Sequence, residues 1–292
     1  MNGVTNAIVT GGTRGIGLAV GRCLVQAGFR VVLTSRRLED AQQAAARICA
    51  ETGRADAAVG DQLELGVRAS VTEFADRHAD DPDLRVLVNN AGLSPGTLER
   101  TAEGFEMHFG VNYLGHLLLD ELLLETISRN TQQQVGGVIG VGSLSNVLAS
   151  RRRILQSLDA SFPQRYIPLL QYAASKAALH LLMRRYALAF ANRPNVAMCS
   201  IYPGFVDTAI YEPYGKLTQE VVKRVSVPPE STGRLIARLL SEGSASRNFY
   251  HGVQWPLIES RLIKSDVFAK ELYGIACSRL EIKPRLDDEH RR

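Results

Sequence analysis

Short, β-branched apolar runs alternate with longer helical patterns along this chain, and that alternation restricts the fold more than any other feature. Runs at 7–10, 30–35, 55–60, 84–89, 137–142 and 196–202 read as strands, with helical stretches at 15–27, 38–52, 64–78, 101–129 and 171–191 between them. Strands that alternate with helices build βαβ units and hence a parallel sheet. The runs are apolar almost throughout rather than at every second residue, as strands are when helices cover both faces. The expected fold class is α/β, a doubly wound parallel sheet flanked by helices. With 292 residues and no linker rich in Gly, Ser or Pro, a single domain is expected over the whole chain. A substrate loop is placed at about 205–230 and a C-terminal extension at about 253–292.

Composition narrows the function classes. The net charge is +4 and the basic residues are spread along the chain, which argues against a nucleic acid or an anionic membrane as partner. Cys23, Cys49, Cys199 and Cys277 lie far apart, so neither a disulfide framework nor a metal site is expected, and a cytoplasmic location is. The N-terminus runs almost directly into the first strand, so no signal peptide is expected. His116, Asp120, Glu121 and Glu125 interrupt the most apolar later stretch, which is too short and too charged to span a bilayer.

The first strand ends in Thr10-Gly11-Gly12-Thr13-Arg14-Gly15-Ile16-Gly17, immediately before a helical pattern. Glycines there permit a tight turn and let backbone amides approach a pyrophosphate at a helix N-terminus, as in a Rossmann nucleotide site. The second strand ends in Thr34-Ser35-Arg36-Arg37 rather than in the Asp or Glu that would accept from a ribose hydroxyl. Arg36, Arg37 and Arg14 can bind a 2′-phosphate through charge-assisted forks, so NADP(H) is the expected cofactor.

Tyr172 and Lys176 lie at i and i+4 of a helical stretch, on one face. A phenol is a poor acid–base catalyst at neutral pH, and a neighbouring ammonium stabilises its phenolate. The spacing alone is weak; the surroundings give it weight. Asn89-Asn90-Ala91-Gly92, Ser143 and Tyr202-Pro203-Gly204 end the fourth, fifth and sixth strands, at the carboxyl edge where open α/β sheets bind ligands. Asn112 sits within the long helical stretch after the fourth strand.

With these motifs in this order, the chain resembles the short-chain dehydrogenase/reductase family, and within it the retinol dehydrogenase-like group. The clues to that group are Val111-Asn112-Tyr113-Leu114-Gly115-His116, the long gap between Ser143 and Tyr172, and Val227-Pro228-Pro229-Glu230. The resemblance implies that Tyr172 is the general acid–base and that Ser143 hydrogen-bonds the substrate oxygen. It implies that Lys176 holds the nicotinamide ribose and lowers the Tyr172 pKa, with Asn112 positioning a relay water. Gly11, Thr13, Arg14, Gly15, Ile16 and Gly17 would cradle the phosphates. Asp61 would contact the adenine with Gln62 beside it, and Asn90, Ala91 and Gly92 would line the adenosine side. Pro203, Gly204, Val206 and Thr208 would seat the nicotinamide carboxamide and nearby phosphate. Residue 142 is Gly where relatives often carry a second serine, and no membrane anchor of the kind found in many retinol dehydrogenases is expected.

Ser145, Tyr166, Phe205 and Tyr211, with Leu93, Ser94 and Tyr214, are the candidate substrate wall, suited to a medium or large apolar ketone or alcohol. Arg151 to Arg153 read as a solvated turn, and His108 and His116 as helix-packing residues. The leading expectation is a carbonyl reductase or alcohol dehydrogenase of metabolism, secondary metabolism included. A non-redox isomerase or dehydratase on the same fold and an NADP(H)-sensing regulator are the alternatives. Relatives pair through the long helices corresponding to 101–129 and 171–191, so a homodimer or homotetramer is implied unless the C-terminal extension covers that surface and leaves a monomer.

Overall fold

The computed structural model describes residues 5–131, 134–159, 166–204, 226–242, 250–253 and 260–287. Its strands are β1 (Asn6–Val9), β2 (Arg30–Ser35), β3 (Ala58–Gln62), β4 (Leu84–Asn89), β5 (Gly136–Val141), β6 (Val196–Tyr202) and β7 (Tyr250–Gly252). They form one sheet in the order β3-β2-β1-β4-β5-β6-β7, and every pairing is parallel. Strand order reverses between β1 and β4, which opens a crevice at their carboxyl ends.

Helices α1 (Gly15–Gln26), α2 (Leu38–Thr52) and α8 (Pro229–Ser241) cover one face of the sheet. There Leu24, Ile48 and Ile236 pack on strand residues such as Val31 and Ile139, all of them buried. Helices α3 (Arg68–His78), α5 (Gly115–Asn130), α7 (Pro168–Ala189) and α9 (Asp266–Arg279) cover the other face through Phe74, Leu117, Leu179 and Leu272. Truncating any one of these buried leucines to alanine would cost about 2–5 kcal/mol. The C-terminal α9 is part of the same core, and its Tyr273 hydroxyl donates to the buried Glu121 of α5 at 2.9 Å. No helix among the described residues is long and apolar enough to cross a membrane.

The sheet departs from the sequence reading at its ends. A seventh strand, β7, extends it beside β6; three residues are too few to leave a pattern in sequence. The third strand starts at Ala58 rather than residue 55, because the chain is still turning at Asp56, whose φ is 58°. Helix α3 starts at Arg68 rather than residue 64, after an extended Val67. The long helix does not start at residue 101. Residues 100 and 106 instead form an antiparallel bridge, and the Glu106 carboxylate then caps a short turn, α4 (Met107–Phe109), by accepting from the amides of His108 and Phe109. Gly110–Leu114 follows as a π-turn that leads into α5. The connection expected after Ser143 is also structured. It holds a 3-10 turn (Leu144–Leu148) and α6 (Arg151–Ser157), capped by the Ser150 hydroxyl.

Candidate active site

The glycine-rich turn fits a nucleotide because its backbone leaves no room for side chains. Gly11 and Gly15 adopt left-handed φ values of 64° and 53°. A Cβ on Gly17 would collide with the Gly11 carbonyl and lie 2.5 Å from the Asn90 amide nitrogen. The open cradle so formed leads into α1, which has no acidic residue in its first turn to compete for the amides that an anion would take. Thr13 and Ile16 lie in the same turn, both half-buried. Arg14, Arg36 and Arg37 are all exposed beside it, at the turn and at the end of β2. Gln62 clasps this corner from β3, its side-chain amide donating to the Arg36 carbonyl at 2.9 Å.

Two residues assigned to the nucleotide have prior commitments inside the protein. Asn90 donates to the carbonyls of Thr10 (2.8 Å) and Gly11 (3.1 Å), so its amide braces the glycine turn. The backbone amides of Asn90 and Ala91 both donate to Thr10 Oγ1 at 2.9 Å, locking the ends of β1 and β4 together. Asp61 is held by Arg77 at 2.9 Å and His78 at 3.1 Å. Burial alone would raise its pKa, but the hydrogen bonds from His78, Arg77 and the Gln62 amide prevail and hold it at about 2.

The four catalytic candidates converge on the same sheet edge. Asn112, in the π-turn, is fully buried. Its Oδ1 accepts from the Leu93 amide at 2.9 Å, and its Nδ2 donates to the Leu93 carbonyl at 3.1 Å and to Ser175 Oγ at 3.0 Å. Lys176 reaches back from α7 to donate from Nζ to the Val141 carbonyl at 2.9 Å. Gly92 lies between the two: a Cβ there would sit 3.3 Å from Lys176 Nζ and 3.4 Å from Asn112 Oδ1. Burial pushes the Lys176 pKa down to about 8. Tyr172, one helical turn earlier, is buried with its ring edge-on to His108 at 6.3 Å between centroids. Ser143 stands two residues past β5 and caps the following 3-10 turn, its hydroxyl accepting from the Ser145 amide (3.2 Å) and hydroxyl (3.0 Å). That turn packs against α7, the helix that carries Tyr172.

The substrate candidates divide. Ser145 is at the site through its bond to Ser143. The Tyr166 hydroxyl donates to Glu106 Oε1 at 3.1 Å and contacts His108 Nδ1 at 3.1 Å, so it braces the wall behind Tyr172. Phe205, Val206, Thr208, Tyr211 and Tyr214 lie outside the described residues. Pro203 and Gly204 follow β6 at the same edge, Gly204 with φ at 80°. The arginines after Ser150 lie on α6 rather than in a turn, with Arg151 and Arg152 exposed to solvent; Arg151 pairs with Glu271 at 2.7 Å over the Phe268 ring, and the half-buried Arg153 donates to Gln171 at 3.0 Å.

The two histidines read as packing residues are fully buried in their helices and carry polar links as well. His108 bonds Glu106 at 2.7 Å through Nδ1 and Ser94 at 3.2 Å through Nε2. His116 lies between Thr10 Oγ1, 3.0 Å from its Nε2, and the Asn112 carbonyl, 3.2 Å from its Nδ1. The signal for His116 was present in the sequence, since it stands one turn after Asn112 in an otherwise leucine-rich stretch.

Residues 5–154 match the short chain dehydrogenase family. The chain is 31% identical to retinol dehydrogenase 11 of Mus musculus, over 94% of this chain and 85% of that protein. It is 33% identical to polyprenol dehydrogenase of Danio rerio, over 82% of this chain and 71% of the relative. A crystal structure of an uncharacterised protein from Mycobacterium paratuberculosis superposes with a TM-score of 0.70 at 22% identity, over 96% of this chain and 94% of the other, which shows a shared fold. From the glycine turn to the helix that carries Tyr172 and Lys176, the chain belongs to the short-chain dehydrogenase/reductase family of oxidoreductases, in its retinol dehydrogenase-like group.

Proposed function

We propose that the chain is an NADP(H)-dependent oxidoreductase acting on the carbonyl or secondary alcohol of a medium-to-large apolar small molecule. Tyr172 is its general acid–base. The observation that carries this reading is the meeting of Lys176 Nζ and Asn112 Oδ1 around Gly92, one helical turn from Tyr172. A buried ammonium with no carboxylate partner among the described residues is costly, and its use is to stabilise a phenolate and hold ribose hydroxyls. When bound, the nicotinamide supplies or takes up the hydride.

The remaining work falls to the chain. Gly11, Gly15 and Gly17 seat the phosphates, while Arg14, Arg36 and Arg37 select the 2′-phosphate form. Ser143 holds the substrate oxygen beside Tyr172, and in the reducing direction the Tyr172 hydroxyl donates its proton to that oxygen. Lys176 supports the phenolate left behind, and Asn112 anchors the path that returns the proton. Relatives named for retinol and for polyprenol, both apolar alcohols, support an apolar substrate. The widely spaced free cysteines support a cytoplasmic location.

The test follows nicotinamide absorbance against a panel of apolar ketones and alcohols, with each phosphate form of the cofactor. Wild-type protein should turn over at least one of them with NADP(H), and Tyr172→Phe should lose turnover by about a thousandfold or more while NADPH binding remains measurable. Full activity in Tyr172→Phe would sink the assignment.

A further inference from the structure

Thr10, at the end of β1, already accepts two backbone amides through Oγ1, from Asn90 and Ala91. Its one hydroxyl proton has two acceptors in reach, His116 Nε2 at 3.0 Å and the Val88 carbonyl at 3.2 Å, and the ring nitrogen is the nearer. On the other side of the ring, Nδ1 faces a carbonyl oxygen, that of Asn112, at 3.2 Å. A carbonyl only accepts, so the ring proton is on Nδ1, and Nε2 accepts from Thr10. This bonding pattern requires a neutral imidazole. A second ring proton would point at a hydroxyl oxygen whose lone pairs two amides already occupy. The surroundings enforce neutrality: His116 is fully buried, and burial together with the nearby Lys176 ammonium presses its pKa down to about 3.

The position of the ring gives this bridge its meaning. Thr10 belongs to the glycine-rich turn, and Asn112 to a π-turn whose width is set by a bond from the Gly115 amide to the Gly110 carbonyl. A π-turn is a less regular backbone than the α-helix on either side of it, and its residues need support to stay in register. We infer that His116 is a positioning residue which ties the nucleotide turn to the proton-relay asparagine through two hydrogen bonds, one arm for each function. The Thr10 arm holds the cofactor cradle, and the Asn112 arm holds the relay. The inference rests on Tyr172 and its partners being the catalytic group.

Two conservative variants separate the arms. In His116→Asn the side-chain amide stands near the Nδ1 position and keeps a donor for the Asn112 carbonyl, while contact with Thr10 is lost. In His116→Gln the polar group stands near Nε2, keeping Thr10 and losing the Asn112 carbonyl. His116→Asn should hold kcat within about threefold and weaken NADPH binding about fivefold. His116→Gln should do the reverse, with kcat down about tenfold and NADPH affinity within about threefold, as loss of one buried hydrogen bond predicts. Both quantities moving together in both variants, or neither moving, overturns the inference. NADPH binding is read by fluorescence without turnover, and Tyr172→Phe is assayed beside the two variants. Turnover surviving in Tyr172→Phe rejects the catalytic reading itself, an outcome distinct from failure of the bridge.

Discussion

Asn112 in the π-turn and Glu121 in α5 lie on one helical run, and each anchors a buried polar cluster. Around Glu121 the charge is met from three directions: the Tyr186 hydroxyl at 3.0 Å, the Tyr273 hydroxyl at 2.9 Å and the Arg285 amide at 3.1 Å. Beside Asn112, across Gly92, stands the Lys176 ammonium, which has a carbonyl for a partner and no carboxylate among the described residues. Glu121 stitches α5, α7 and the C-terminal α9 together, and its donors are spent on that. Lys176 leaves its charge under-compensated at the sheet edge where ligands bind. Burial raises the Glu121 pKa, but three hydrogen bonds pull against it, whereas nothing offsets the burial that depresses Lys176. A buried charge with a full set of partners serves cohesion; one without them spends stability on chemistry.

The largest effect that can break this contrast is Lys176→Met. Turnover should fall by about two to four orders of magnitude, while the melting temperature stays level or rises, because methionine fills the space without a desolvated charge. The pH dependence has a definite sign. The folded pKa of Lys176, about 8, lies below its ordinary value of 10.5. The cost of burying its ammonium is therefore fully present below pH 8 and is relieved as pH rises from about 8 to 10.5. The stability gap between Lys176→Met and wild type, about 3 kcal/mol at most, should close over that window. A variant that melts far below wild type would place Lys176 with the cohesive cluster.

Glu121→Ala should show the opposite pattern. Two tyrosine hydroxyls lose their acceptor in the core, which costs about 2–4 kcal/mol in urea or thermal unfolding. Turnover per folded molecule should stay within about twofold, since the Glu121 carboxylate spends its hydrogen bonds on Tyr186, Tyr273 and Arg285. A variant that unfolds normally but turns over slowly would merge the two clusters into one.

Of these clusters, the sequence made only the first legible. The glycine turn, the Asn90 turn and the Tyr172–Lys176 spacing are local patterns, readable because the constraints lie between residues close in the chain or at strand ends. Strands β2 and β4 and helix α2 fall where the apolar runs place them for the same reason. Glu121 looked like a charge that merely ruled out a membrane span, because its partners come from residues 186, 273 and 285, far along the chain. His116 was legible in position but not in role, since Thr10 meets it only once β1 and α5 are packed. Strand β7 and helix α6 were hidden by length, being too short for periodicity to register.

Cofactor choice tests the nucleotide side of the first cluster at smaller scale. Replacing Arg36 and Arg37 by Asp and Ser should lower kcat/KM for NADPH about tenfold to a hundredfold relative to NADH, as expected for loss of a charge-assisted fork on a phosphate. Neither arginine is buried, so the melting temperature should hold. An unchanged preference would remove both from the 2′-phosphate site and leave Arg14 as its sole cation.

Asp61 has a foot on each side of the contrast and gives the smallest effect. Family resemblance puts it against the adenine, whereas its carboxylate is already engaged by Arg77, His78 and the Gln62 amide. Its folded pKa, about 2, lies below its ordinary 3.8. Its contribution to stability is thus present above about pH 4 and is lost as pH falls towards 2. Because Arg77 is half exposed and solvent screens the pair, that contribution is about 1 kcal/mol. Asp61→Asn should lower the melting temperature by a few degrees at pH 7 and lose that difference by pH 2, while NADPH affinity moves less than about threefold, since an amide oxygen remains. If affinity falls tenfold and the melting temperature holds, the carboxylate belongs to the nucleotide after all, and Arg77 and His78 serve to aim it.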